Sequence, residues 1–191
     1  MLHTDRTHAL IDAAKHLDEI TFAQRYKATF LIFPRPGEDF GTTEVQMQAI
    51  QVPMDVVTAL ARPSATLDEG ALLDTGFILE PIAGRWPGDL GEAVTVGRAR
   101  GNDIYVPDPT VSKLHAFFRR DEEGIMWLFD PGSRNGTFVG GQRLRVGTQH
   151  RLGESEQVTF GGVKTLFKVP RALHAFLKKA KPGSSPKLGK S

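Results

Sequence analysis

Two kinds of hydrophobic periodicity divide this chain. Between residues 5 and 26, apolar side chains at Leu10, Ile11, Ala14, Leu17, Ile20 and Phe22 fall mostly at helical spacing. Thr4 and Asp5 are available as caps, and the pattern predicts one amphipathic helix. Residues 26–34, YKATFLIFP, are rich in aromatic and branched side chains and stop at a proline, as a strand does. PRPGEDFGTT reads as a loop. VQMQAIQVPMDVVTALA fits strands or a short helix and is broken by Pro53 and Pro63, and RPSATLDEGALLDTG reads as a linker, a tether rather than a rigid joint.

From Gly76 onward the helical period gives way to short strand-like runs: FILEPI, AVTVG, DIYV, HAFFRRD, IMWLFD, TFV, RL, QVTFG and TLFKV, separated by Gly, Pro, Asn and Asp clusters. Short strands at this spacing predict an all-β sandwich or barrel. IMWLFD is almost wholly apolar and is expected to be a central strand, with Trp127 and Phe129 on one face and Met126 and Leu128 on the other. After Pro170, RALHAFLKKA suits a short helix, and KPGSSPKLGKS is a basic low-complexity tail expected to be disordered.

Composition alters this picture in three places. Across 191 residues, 40% hydrophobic and 24% charged side chains are ordinary for a chain able to bury a core. The net charge of +2 hides an asymmetry. Residues 171–191 hold six basic side chains and no acid, leaving about −4 on the rest, so the basic character belongs to the tail and nucleic-acid binding is not expected. Cysteine is absent, which excludes disulfides and thiolate metal sites and favours the cytoplasm. The N-terminus does not read as a signal peptide, and no apolar run is long enough to cross a bilayer.

Four short elements lie in the turns between predicted strands: Gly97-Arg98, then Ser112-Lys113-Leu114-His115, then Ser133-Arg134-Asn135-Gly136-Thr137, then Gly153-Glu154. Turns on a rigid scaffold are common places for binding residues. In VTVGRARGNDIYVPDPTVSKLHAFFRR…WLFDPGSRNGTFV, a Gly-Arg, a Ser-x-x-His and an Asn-Gly-Thr occur in order around a buried strand, and the stretch resembles the forkhead-associated (FHA) domain family over about half the chain. The resemblance implies an all-β, FHA-type sandwich of about eleven strands, placed at residues 72–170. A small α/β extension precedes it at 1–71, with a short helix and basic tail after it at 171–191.

The resemblance also implies that apical loops bind a phosphothreonine peptide and that the domain catalyses nothing. A phosphate monoester brings a charge of about −1.5 to −2 and three strong acceptors. Arg98 offers it a permanently charged planar fork. Ser112 offers a hydroxyl and its backbone N–H, Lys113 a flexible second charge where the family usually has Arg or Asn, and Thr110 a hydroxyl. Asn135 is expected to hold the peptide backbone, while Arg134 sits where the family helps choose a following ligand residue. His115, Gly97, Gly136 and Thr137 are expected to be structural, as is the Asn102-Asp103 turn. Two departures stand out: Gly140-Gly141 replaces an Asn-Gly turn, and Gly153-Glu154-Ser155-Glu156 replaces a Gly-Asp turn.

Competing chemistries find little support in the residues. No Walker-type lysine loop and no Gly-x-Ser-x-Gly elbow occurs. The six histidines show no pair at ligand spacing beside a third carboxylate, so neither metal nor cofactor is expected. The expected partners are a phosphothreonine-containing protein and, upstream, a Ser/Thr protein kinase. The alternative is a structural or oligomerisation protein that uses the sandwich without phosphate.

Overall fold

The computed structural model describes residues 2–35, 66–83 and 93–180. The ambiguous segment VQMQAIQVPMDVVTALA, the cap side chains Thr4 and Asp5, and the basic tail lie outside the described residues. In chain order the elements are α1 (Leu2–His16), α2 (Glu19–Arg25), β1 (Phe30–Pro34), α3 (Glu69–Thr75), β2 (Phe77–Pro81), β3 (Val94–Gly97), β4 (Ile104–Tyr105), β5 (Ala116–Arg120), β6 (Met126–Phe129), β7 (Thr137–Val139), β8 (Gln142–Arg143), β9 (Gln149–Arg151), β10 (Ser155–Phe160), β11 (Val163–Lys168) and α4 (Pro170–Lys178).

The strands form two sheets, a six-stranded one in the order β2-β1-β11-β10-β7-β8 and a five-stranded one in the order β4-β3-β5-β6-β9. Every pairing is antiparallel except β3 with β4. The domain is thus an all-β sandwich with small helical additions. Alternation explains its core. Val94, Val96, Ala116, Phe118, Met126 and Leu128 of one sheet meet Leu31, Val139, Val158, Phe160 and Phe167 of the other. Within β6, Met126 and Leu128 face this core while Trp127 and Phe129 stay half-buried on the other face, and the strand lies inside the sheet between β5 and β9.

Strand β1 is apolar on both faces, because both are covered. Leu31 lies in the sandwich core, whereas Phe30 and Ile32 join a second core with Phe77, Leu79 and Leu166. Helices supply the other half of that second core: Leu10, Ile11 and Ala14 of α1, Phe22 of α2, Leu72 and Leu73 of α3, and Leu173, Phe176 and Leu177 of α4. The helical layer therefore draws on both ends of the chain. It is pinned by Arg171 Nε on Glu19 Oε1 at 2.5 Å and by the His174 ring on the Leu17 carbonyl at 3.0 Å.

Two expectations are corrected here. The helix expected over residues 5–26 is broken, because the Asp18 carboxylate accepts from the N–H groups of Ile20 and Thr21, both at 3.0 Å, and starts α2 afresh. Ile20, counted in the apolar stripe, is 65% exposed. The stretch read as a linker contains α3, capped by Asp68 accepting from Gly70 N–H at 2.8 Å.

Candidate functional site

Four loops meet at one end of the sandwich: those after β3, before β5, before β7, and between β10 and β11. Their contact is mainly a backbone matter. Arg98 N–H donates to the Ser112 carbonyl at 2.8 Å and Ala99 N–H to the Lys113 carbonyl at 3.1 Å. Gly97 allows this approach, since a Cβ there would lie 2.3 Å from the Lys113 oxygen. Asn102, buried, fastens the same junction by donating from Nδ2 to the Ala99 and Lys113 carbonyls, both at 2.7 Å. Asp103 accepts from the N–H and the hydroxyl of Thr95 at 2.8 and 2.7 Å.

His115 is fully buried and ties the second loop to the third. Its Nδ1 accepts from Ser112 N–H at 2.9 Å, so the proton sits on Nε2, which donates to the Gly136 carbonyl at 3.2 Å. Burial holds its pKa below the usual 6.5, against the opposing pull of the Gly136 carbonyl and the Asp130 carboxylate. The ring packs edge-on against Phe160. Because His115 takes the Ser112 N–H, that donor is spent within the protein, which corrects the expectation that it faces a ligand. The Ser112 hydroxyl accepts from Arg134 N–H at 3.0 Å, and its own proton remains to be donated.

The loop before β7 is built around Asp130, which motif reading passed over. Only 1% exposed, this carboxylate accepts from the N–H groups of Gly132 (2.8 Å), Ser133 (2.6 Å) and Thr137 (2.9 Å), and from the Ser133 hydroxyl (2.7 Å). Burial pushes its pKa up, yet the Ser133 and Gly132 donors outweigh burial and hold it below the ordinary carboxylate value. Ser133 Oγ in turn accepts from Gly136 N–H at 3.0 Å. Gly136 has φ +84°, and the Arg143 guanidinium packs where its Cβ would be. The Asp-Pro-Gly-Ser sequence is the signal that an Asp-centred turn was present.

Thr110 was expected to offer a hydroxyl outward. Its Oγ1 donates to Asp108 Oδ1 and accepts from Gly162 N–H at 2.8 Å, so this hydroxyl is engaged at both ends inside the protein. The Thr110 carbonyl accepts from Asn135 Nδ2 at 2.7 Å. Asn135 thereby bridges two loops, with Oδ1 and one amide proton left over. Arg98 behaves similarly: Nε donates to the Val111 carbonyl at 3.0 Å, which fixes the guanidinium and leaves its terminal nitrogens unengaged among the described residues. Arg98, Lys113, Arg134 and Asn135 are exposed, and Ser112 is half-buried. Among the described residues, no group of three or more His, Asp or Glu side chains is placed to hold a metal ion.

Residues 94–161 match the family model described as the FHA domain, and this part of the chain is an FHA domain. The chain is 38% identical over 73 residues to the oxoglutarate dehydrogenase inhibitor of Corynebacterium efficiens, covering 36% of this chain and 51% of that protein. It is 37% identical over 91 residues to the ABC transporter ATP-binding/permease protein Rv1747 of Mycobacterium tuberculosis, covering 47% of this chain and 10% of that protein. The chain thus spans from a tenth to about half of the length of these relatives. Among solved structures, the FHA domain of the CT664 protein from Chlamydia trachomatis aligns with a TM-score of 0.44 at 18% identity, covering 73% of this chain and 96% of that one.

Proposed function

We propose that this protein is a phosphothreonine-peptide-binding adaptor acting downstream of Ser/Thr protein kinases, with Arg98, Ser112 and Asn135 as the central contacts. One observation carries the reading. In each of these side chains part of the hydrogen-bonding capacity is spent on orienting it, through Val111, Arg134 and Thr110 respectively. What is left over is a cationic fork, one hydroxyl proton and one carboxamide edge, the set that a dianionic phosphate on an extended peptide requires. Lys113 supplies a second charge and Arg134 lies beside the Ser112 hydroxyl, while Thr110, His115, Gly97, Gly136 and Thr137 hold the loops.

Nothing in this set is a nucleophile beside a base, and the proposed role involves no catalysis. A small polar contact of this kind has an affinity on the order of micromolar. The cysteine-free composition fits a cytoplasmic setting. Among the described residues, no helix is long and apolar enough to cross a membrane. Oligomerisation through the N-terminal helices has less to draw on, because α1 and α2 bury Leu10, Ile11, Ala14 and Phe22 within the chain itself.

Calorimetry with a phosphothreonine peptide pool and its unphosphorylated counterpart tests the proposal. Binding of the first pool alone, lost in Arg98→Ala with the fold intact by circular dichroism, is the expected result. Equal heats from both pools, or an unaffected Arg98→Ala, would overturn it.

A further inference from the structure

The rim of this site carries more positive charge than one phosphate can use. Arg98, Arg100, Lys113 and Arg134 are all exposed. Backbone contacts hold them together: Arg98 N–H on the Ser112 carbonyl, Ala99 N–H on the Lys113 carbonyl, and Arg134 N–H on the Ser112 hydroxyl. The carboxylates of the same loops are committed elsewhere, Asp103 to Thr95, Asp108 to Thr110, and Asp130 to Ser133 and its neighbours. None of the four cations forms an ion pair among the described residues. Like charges gathered without counter-ions repel one another, and they gain most from an anionic ligand that brings more than about two negative charges.

We infer that the ligand carries anionic groups beside the phosphothreonine, and that Arg100 is the residue that reads them. This rests on the phosphothreonine reading above. Arg100 follows Ala99 in a turn closed by Asn102 N–H on the Ala99 carbonyl at 3.1 Å. Its guanidinium carbon lies 5.6 Å from the centroid of the Tyr105 ring. Tyr105 is 38% exposed and pairs in register with Gly97, the neighbour of Arg98. A guanidinium drawn over a ring in this way favours one side of its rotamer range before any ligand arrives, while its donors stay available. The aromatic platform thus biases a surface arginine two residues from Arg98 toward a position where it can meet the same ligand. The shared chemistry is a fixed negative charge, from acidic side chains or from a second phosphate on the same peptide.

Fluorescence anisotropy with three phosphothreonine peptides of equal length separates these sources: one with neutral flanks, one with glutamates flanking the phosphothreonine, and one bearing a second phosphorylated residue. Each is measured beside its unphosphorylated control at low and high salt. Both anionic peptides are expected to bind roughly fivefold tighter than the neutral one at low salt, the doubly phosphorylated peptide gaining more if its source is a phosphate. In Arg100→Ala that advantage should shrink to within about twofold, and Arg100→Lys should restore part of it. Equal affinities for the three peptides, or an equal weakening of all three in Arg100→Ala, would overturn the assignment. Failure of every phosphothreonine peptide to bind above its control would instead bring down the parent reading, and this one with it.

Discussion

At Gly97 there is no room for a methyl group. The Cβ of an alanine would sit 2.3 Å from the Lys113 carbonyl oxygen and 2.8 Å from Asn102 Nδ2, both parts of the junction that holds Arg98 beside Ser112. Gly97→Ala is expected to cost about 1–3 kcal/mol by forcing that backbone apart. It should also weaken the proposed phosphopeptide binding while leaving the Arg98, Ser112 and Asn135 side chains themselves unaltered. Urea unfolding followed by calorimetry on the same sample measures both effects. His115 makes a different prediction at this scale. Its pKa is lowered, first by burial, so the folded state holds the neutral ring while the unfolded chain protonates near 6.5. Stability is therefore full above 6.5 and falls as pH drops below that value toward the folded pKa. A protonated Nδ1 also confronts the Ser112 N–H with a second donor, so the loop should loosen in the same window. Urea midpoints measured without peptide, which itself titrates near pH 6, are expected to fall between pH 7.5 and 5.5. The fall should be shallower in His115→Asn.

Among the elements, β11 and α3 are joined by an ion pair whose two halves are unlike. Lys168 is 3% exposed, with Nζ 2.6 Å from Glu69 Oε1, 2.7 Å from Ser155 Oγ and 5.6 Å from the centroid of Phe176. The Glu69 side chain is 38% exposed. Removing the acid strands a buried ammonium, whereas removing the ammonium leaves a carboxylate that water reaches. Glu69→Ala should thus cost more than Lys168→Met, by about 2 kcal/mol once solvent screening of the glutamate is allowed for, as read from chemical denaturation. Neither partner is visible as such in the sequence, because they lie 99 positions apart. The elements that could be read were those with strong local patterns: β1, apolar up to Pro34, most strands from residue 77 onward, where alternation is bracketed by turn residues, and α4 behind Pro170. Strand β9, Gln149-His150-Arg151, has no apolar residue and sits at a sheet edge, so alternation had nothing to show. Helix α3 spans seven residues, too few for a helical period to stand out within the stretch RPSATLDEGALLDTG, whose Pro, Ser and Gly residues read as a linker. The Gly-Arg, Ser-x-x-His and Asn-Gly-Thr groups lie in loops that hydrogen-bond to one another at one end of the sandwich. The closures Gly162 to Thr110 and Asn135 to Thr110 join residues 52 and 25 positions apart, and no local pattern encodes them.

On the scale of the whole molecule, the loops of the candidate site and the helical layer lie on different elements of the same two-sheet framework. The six-stranded sheet is covered on one face by the other sheet and, over β1, β2 and β11, on its other face by helices from both chain ends. Leu173 of α4 is fully buried in that second core, with Phe22, Phe77 and Phe176 as other members. Leu173→Ala should cost about 2–5 kcal/mol, the usual range for a buried leucine. Because β1 and β11 serve both cores, the loss should appear as one transition at lower urea rather than as separate melting of the helices. Binding should respond otherwise. The loops that carry Arg98, Ser112 and Asn135 spring from β3, β5 and β7, and the hydrogen bonds of these three residues among the described residues run to one another's loops, which Thr110 ties to the Gly161-Gly162 turn. Below its unfolding transition, Leu173→Ala should therefore keep its peptide affinity within about twofold. A parallel loss of affinity and stability in that variant would mean that the helical layer is coupled to the loops through the shared strands, and that a partner gripping the helices also tunes the grip on the phosphopeptide.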